Sequence, residues 1–205
     1  MRFPKQYSTV LFPDAFARNQ FVILDACVLA SFSLCDTLLR LAEPPELFKP
    51  KWSEKIMEET VRVLEAKLGW PTRLTTSFQH QLKENFSGAW VRSYESLIPE
   101  LGNDLKDRHV LAAAIRSDSS IILTQNLKHF RPEHLEPWGI AALHPDVFLL
   151  ELYRKAPALV LDKLQRQAKK ANRSLPQLLA ILSKTVPAFT STISMGTQPV
   201  VPLVP

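Results

Sequence analysis

Two short, wholly apolar runs that end on polar residues limit most strongly how this chain can fold. Phe21–Leu24 stops at Asp25, and Ile121–Leu123 stops at Thr124, Gln125 and Asn126. An apolar run of that length, with no polar alternation, is the pattern of a strand buried on both faces, as in a parallel sheet sandwiched between helices. Helical spacing fills the intervals. Leu34, Leu38 and Leu41 share a face of a segment over 33–43 that Pro44 and Pro45 stop. Ser53 reads as the N-cap of a helix through Ile56, Met57, Val63 and Leu64, ending at Gly69 and Pro71. A further helix is expected over 72–87, closed by Gly88, and another from Asn103 or Asp104 through Val110, Leu111 and Ala114. Leu47–Pro50 and Gly139–Leu143 read as additional strands. Strands alternating with helices predict an α/β fold, its mainly parallel sheet flanked by helices on both faces.

From Asp146 onward the patterning is only helical, over about 146–155, 157–171 and 174–185, and the last twenty residues, rich in Ser, Thr and Pro, read as an irregular tail. Two units are therefore expected: residues 1–150, with a core over about 20–150, and a helical extension with its tail over 151–205. The charge divides the same way. Residues 151–205 carry a net +6 and the first 150 a net −1, so the whole formal charge of +5 comes from the extension. That asymmetry favours an anionic partner, with a solvated basic helix face as the plainer alternative.

No apolar run approaches the roughly 20 residues that a membrane helix needs. The N-terminal residues lack a long apolar stretch with a small-residue cleavage site. The two cysteines, Cys27 and Cys35, form no CxxC pattern and suit a reducing compartment as small buried hydrophobes. A cytoplasmic protein with no membrane association is expected.

In open α/β sheets ligands gather beyond the C-terminal ends of the strands, which is where Asp25 and Asn126 stand. Two acidic segments can supply more carboxylates. In the helix from Ser53, Glu59 lies at the edge of the apolar stripe and can point toward a sheet-top cleft, with Glu58 as the alternative. Asp104 and Asp107 are three residues apart at a helix start, where capping alone would explain them. Carboxylates beside a strand-end Asp also suit a hard divalent cation, which takes oxygen ligands together with water and substrate phosphate. The five histidines show no zinc spacing, and His109, which follows Asp107, reads as a helix-surface residue, with substrate contact as the alternative. With only five glycines and no Gly-rich phosphate loop, a dinucleotide fold is disfavoured.

The runs VILDACVL, SEKIMEETVRVL, DLKDRHVLAAAI and IILTQNLKHF follow one another in an order and spacing that resembles PIN-domain proteins, most closely the VapC-type ribonuclease toxins. The resemblance covers about residues 20–150 and aligns Asp25, Glu59, Asp107 and Asn126 with the family's catalytic positions, with Asp104 as an additional acid. It implies a PIN-like sheet and a metal-dependent endoribonuclease. Asp25, Glu59, Asp104 and Asp107 would then hold Mg²⁺ or Mn²⁺, while Thr124, Arg108 and Lys128 would contact substrate. It also implies RNA as substrate, an antitoxin as partner and a homodimer. Two positions depart from the pattern: Cys27 stands where such proteins often have Asn or Thr beside the strand-end Asp, and Asn126 removes one charge. A catalytically weak or inactive PIN scaffold that binds RNA or protein is the rival reading. A DNA flap nuclease fits less well, since those are longer.

Overall fold

The structure is a computed structural model that describes residues 20–196. Five strands, β1 (Phe21–Leu24), β2 (Lys49–Ser53), β3 (Trp90–Val91), β4 (Ile121–Leu123) and β5 (Ala141–Leu143), form one parallel sheet in the order β3-β2-β1-β4-β5. Val22, Ile23 and Leu24 are all fully enclosed, as are Ile121, Ile122 and Leu123. Successive strand residues point to opposite faces, so helices must cover both. This is the α/β architecture that the alternation predicts, and it is consistent with the PIN-like sheet that the resemblance implies.

The helices are α1 (Ala26–Leu29), α2 (Phe32–Ala42), α3 (Glu54–Ala66), α4 (Thr72–Asn85), α5 (Arg108–Arg116), α6 (Pro132–Leu135), α7 (Pro145–Lys155), α8 (Pro157–Lys170), α9 (Leu175–Leu182) and α10 (Pro187–Gly196). Local chemistry sets several of their starts. Ser53 Oγ accepts from Ile56 N at 3.2 Å, capping α3 as expected. Ser174 and Gln177 form a reciprocal capping box at α9.

Several elements differ from the sequence reading. The second strand runs over 49–53 rather than 47–50, because it pairs in register with β1 through Phe21 and Lys49. The last strand begins at Ala141, since Gly139 takes a left-handed turn conformation that ends the preceding 3₁₀ turn. β3 is only two residues long and carries no readable periodicity. The helix expected from Asn103 or Asp104 begins at Arg108, with Asp107 itself as N-cap residue.

The C-terminal helices continue the core. One apolar cluster includes Ile23 from the sheet and Leu111 from α5 together with Leu164, Leu182 and Ile193. Residues 187–196, expected to be irregular, are helical. The reason lies far away in sequence: buried Asp146 accepts from Ala188 N at 3.0 Å and Phe189 N at 2.8 Å, satisfying the first amides of α10. The expected tail beyond residue 196 lies outside the described residues. The basic charge of the extension is not all on a solvated face: Lys163 of α8 is a buried residue, and its ammonium donates to Arg40 O at 2.6 Å and Glu43 O at 2.7 Å. Those carbonyls close the C-terminal end of α2, where a cation is favoured. One turn on, Gln167 accepts from Thr37 Oγ1 and donates to Ser33 O. No helix among the described residues is long and apolar enough to cross a membrane.

Candidate active site

The sheet order reverses between β1 and β4: the chain first builds outward through β2 and β3, then returns to the other side of β1. Such a switch point opens a crevice beyond the strand ends. Here that crevice is a cleft of about 690 Å³ lined by Asp25, Cys27, Glu59, Asp107, Asn126 and His129, with Arg62, Lys67 and Lys106 as its cations. Its carboxylates come from three separate segments: the end of β1, the middle of α3 and the N-cap of α5.

Asp25 is the most enclosed of them, 5% exposed. Its Oδ1 accepts from Ala26 N at 2.7 Å and caps α1, while Oδ2 accepts from Thr124 Oγ1 at 2.6 Å and from Cys27 Sγ at 3.2 Å. The neighbouring strand end is fixed to it through the backbone, by Asp25 N donating to Leu123 O. Burial, followed by the Asp25 charge, pushes the Cys27 thiol up to about 12, so it stays protonated at neutral pH.

Glu59 is half-buried and reaches the cleft, whereas Glu58 is exposed and pairs with Lys55 at 3.2 Å. Burial acts on Glu59 most strongly and raises its pKa. The contact and charge of His109, with Lys55 and Arg62, outweigh that and hold the carboxyl below the ordinary value of 4.5. His109 Nε2 lies 3.4 Å from Glu59 Oε2. The expected surface role of His109 is therefore corrected: it is buried, on a helix whose residues 109–114 are all enclosed, and it meets Glu59 of α3.

Asp107 is raised above its ordinary 3.8, first by burial and then by the charges of Asp25 and Asp104, against the lowering influence of His129. His129 Nδ1 is 2.8 Å from Asp107 Oδ2. Among the described residues, one ligand atom each of Asp104, Asp107 and His129 lies within 4.8 Å of the others, a spacing that can hold a metal ion. The donor set around the cleft suits a hard cation. The charges of Asp25 and Asp104 beside Asp107, which help to raise its pKa, carry a repulsion that a cation would relieve.

The remaining candidates lie as follows. Asn126 lines the cleft, whereas Asp104 is exposed beside it. Thr124 is fully enclosed, its hydroxyl donating to Asp25 and accepting from Asn126 N at 3.0 Å, so it holds the strand ends together. Arg108 donates from Nε to Asn103 O, and Lys128 is exposed outside the cleft lining. Sequence reasoning missed Arg62, Lys67 and His129. For Arg62 a signal existed: it is three residues after Glu59, and Val63 and Ala66 complete the same helical face. For His129 none did, since it reaches Asp107 across 22 residues.

The chain is 42% identical over 95 residues to a Mycobacterium tuberculosis protein named "Putative ribonuclease VapC50", a match covering 45% of this chain and 53% of that protein. The chain thus spans about half of that protein's length, and the relative is of the VapC type that the motifs resemble. No family model matches the chain, and no solved structure matches it significantly.

Proposed function

We propose that this VapC-like chain with a PIN-like fold is a metal-dependent endoribonuclease that hydrolyses RNA phosphodiester bonds, the toxin of a toxin–antitoxin pair. The observation that carries the reading is the convergence of Asp25, Glu59 and Asp107, from three distant segments, on one open cleft at the switch point of the sheet. The VapC-type relative supports the ribonuclease activity, RNA as substrate and an antitoxin as partner.

Asp25, Glu59 and Asp107 would hold Mg²⁺ or Mn²⁺, with Asp104 and His129 beside Asp107. Such an ion, when bound, lowers the pKa of water and neutralises charge on the phosphodiester in the transition state. The chain's own groups prepare the site. Thr124 and Ala26 N fix the orientation of Asp25, and His109, with Lys55 and Arg62, offsets the burial of Glu59 and holds its carboxyl below the ordinary value. Arg62, Lys67 and Lys106 give the cleft positive charge to receive phosphate. Asn126 offers a neutral polar side chain on the same wall.

The test is Asp25→Asn, which removes charge with little change in volume. Cleavage of RNA in Mn²⁺ should fall by at least roughly a hundredfold, the scale on which loss of one preorganised charge is felt. Circular dichroism should be unchanged. Full activity in the variant would reject the reading.

A further inference from the structure

The ends of β1 and β4 are joined by two parallel hydrogen-bond relays, and both finish on one oxygen. In the first, Asn126 N donates to Thr124 Oγ1 and that hydroxyl donates to Asp25 Oδ2. In the second, Gln125 N donates to Cys27 Sγ at 3.3 Å and the thiol donates to the same Oδ2 at 3.2 Å. The two side chains touch, with Sγ and Oγ1 3.5 Å apart. On the other oxygen, Oδ1 accepts from Ala26 N.

A carboxylate offers about four acceptor positions, two on each oxygen. Thr124 and Cys27 fill those of Oδ2, and Ala26 N fills one of Oδ1. One position remains, on Oδ1. Resting on the reading of the cleft as a metal-nuclease site, we propose that Cys27 is a positioning residue for Asp25: its thiol closes Oδ2, so that Asp25 presents a cation with a single oxygen, Oδ1, in one orientation. Cys27 is then more than a small hydrophobe filling space. It does the work of the Asn or Thr expected at this place, and its backbone partner Gln125 fixes the loop that carries Asn126.

Groups that hold a metal-binding side chain by its remaining lone pairs typically matter about 10- to 100-fold in metal affinity. A thiol is a weak donor, so the effect belongs at the lower end of that range. The test uses the full-length chain with Mn²⁺ as probe, comparing Cys27→Ala and Cys27→Ser. Calorimetry should show Mn²⁺ binding about tenfold weaker in Cys27→Ala and near the parent in Cys27→Ser, where a hydroxyl replaces the donor. RNA cleavage by Cys27→Ala should recover once Mn²⁺ is raised to saturation, which a damaged fold would not allow.

The contact itself is read without any metal. The S–H stretching band of Cys27, isolated by Raman difference against Cys27→Ser, should lie below that of an unbonded thiol and move up in Asp25→Asn. Equal Mn²⁺ affinity in Cys27→Ala and the parent overturns the positioning role while leaving the nuclease reading intact. So does an S–H band that ignores Asp25→Asn. A parent chain that takes no Mn²⁺ overturns both.

Discussion

The cleft and the C-terminal helical layer both enclose polar groups, and they treat them in opposite ways. In the layer each group meets partners of matching polarity: Lys163 meets two carbonyls, Gln167 a hydroxyl and a carbonyl, Asp146 two amides. In the cleft, Asp107 is crowded by Asp25 and Asp104 and its pKa rises, while a few side chains away His109 helps to pull Glu59 down. Burial with complementary partners makes architecture. Burial with like charges leaves a demand that a ligand from outside can meet, which is why perturbed carboxylates in a cleft point to chemistry. A buried lysine and a buried aspartate are thus read by their neighbours and not by their burial.

The sharpest way to break that contrast is to remove charge from the two adjacent carboxylates Glu58 and Glu59 of α3 in turn. Glu59→Gln should lower RNA cleavage roughly a hundredfold, by removing one preorganised charge from the cleft. Glu58→Gln should stay close to the parent, because Glu58 is exposed and faces Lys55. Comparable losses in the two variants, in a steady-state assay with Mn²⁺, would mean that the cleft is not organised around Glu59.

The C-terminal layer should respond in stability instead. Lys163→Ala takes the ammonium away from the carbonyls of Arg40 and Glu43, leaving Arg40 O only the amide of Glu43 as donor. At about 1.5–3 kcal/mol for hydrogen bonding to a charged group, a loss of that order is expected. In a chain of this size that lowers Tm by roughly 3–12 °C. Cleavage measured where the variant is still folded should match the parent. A parent-like Tm would show that the ammonium adds nothing to the docking of α8 on α2.

These differences also explain what the sequence could reveal. Asp25 was legible because an apolar run and a polar terminus are local features, and Glu59 because helical phase is local too. Resemblance rather than phase picked Asp107, since capping explains the same residue equally well. The inward turn of Lys163, the helicity of 187–196 and the His109–Glu59 and His129–Asp107 pairs all depend on partners more than twenty residues away. The charge pattern of α8 reads as a solvated face, and only the carbonyls at the end of α2 make one of its lysines structural. β3 is too short for any periodicity to announce it.

The pH dependence of metal-free stability sharpens the comparison within the cleft, because its two shifted carboxylates move in opposite directions. Asp107 is raised, so its contribution is fully present below 3.8 and is lost as pH rises through the raised value. Asp107→Asn should therefore gain Tm over the parent as pH climbs through that window. Glu59 is lowered, so its contribution is present above 4.5 and is lost as pH falls through the lowered value. Glu59→Gln should be less stable than the parent at neutral pH, with the gap closing in acid. Thermal melts of the three proteins without metal decide it. Two variants that shift the same way at neutral pH would contradict the assignment of opposite environments.

The smallest effect is expected on the outer face of α8, where the two regions can be told apart by salt. The layer carries the excess positive charge of the chain, yet not all of it is available to a partner. Lys163 is turned inward, and Arg166 pairs with Asp162 at 3.0 Å. Lys169 and Lys170 are exposed at the end of the helix, with Arg173 just beyond. If RNA lies across this face, each phosphate contact adds about 0.7 to the slope of log affinity against log salt for a single strand. Replacing Lys169 and Lys170 with Gln should then reduce the slope by up to about 1.4 and weaken binding modestly at low salt. Mn²⁺ affinity should not change, because neither lysine lines the cleft. Tm should hold as well, since neither side chain is buried. The measurement is RNA binding by an inactive Asp25→Asn background across a range of salt, with and without the two substitutions. An unchanged slope would assign the C-terminal charge to solvation alone and leave Arg62, Lys67 and Lys106 in the cleft as the cations that meet the phosphates.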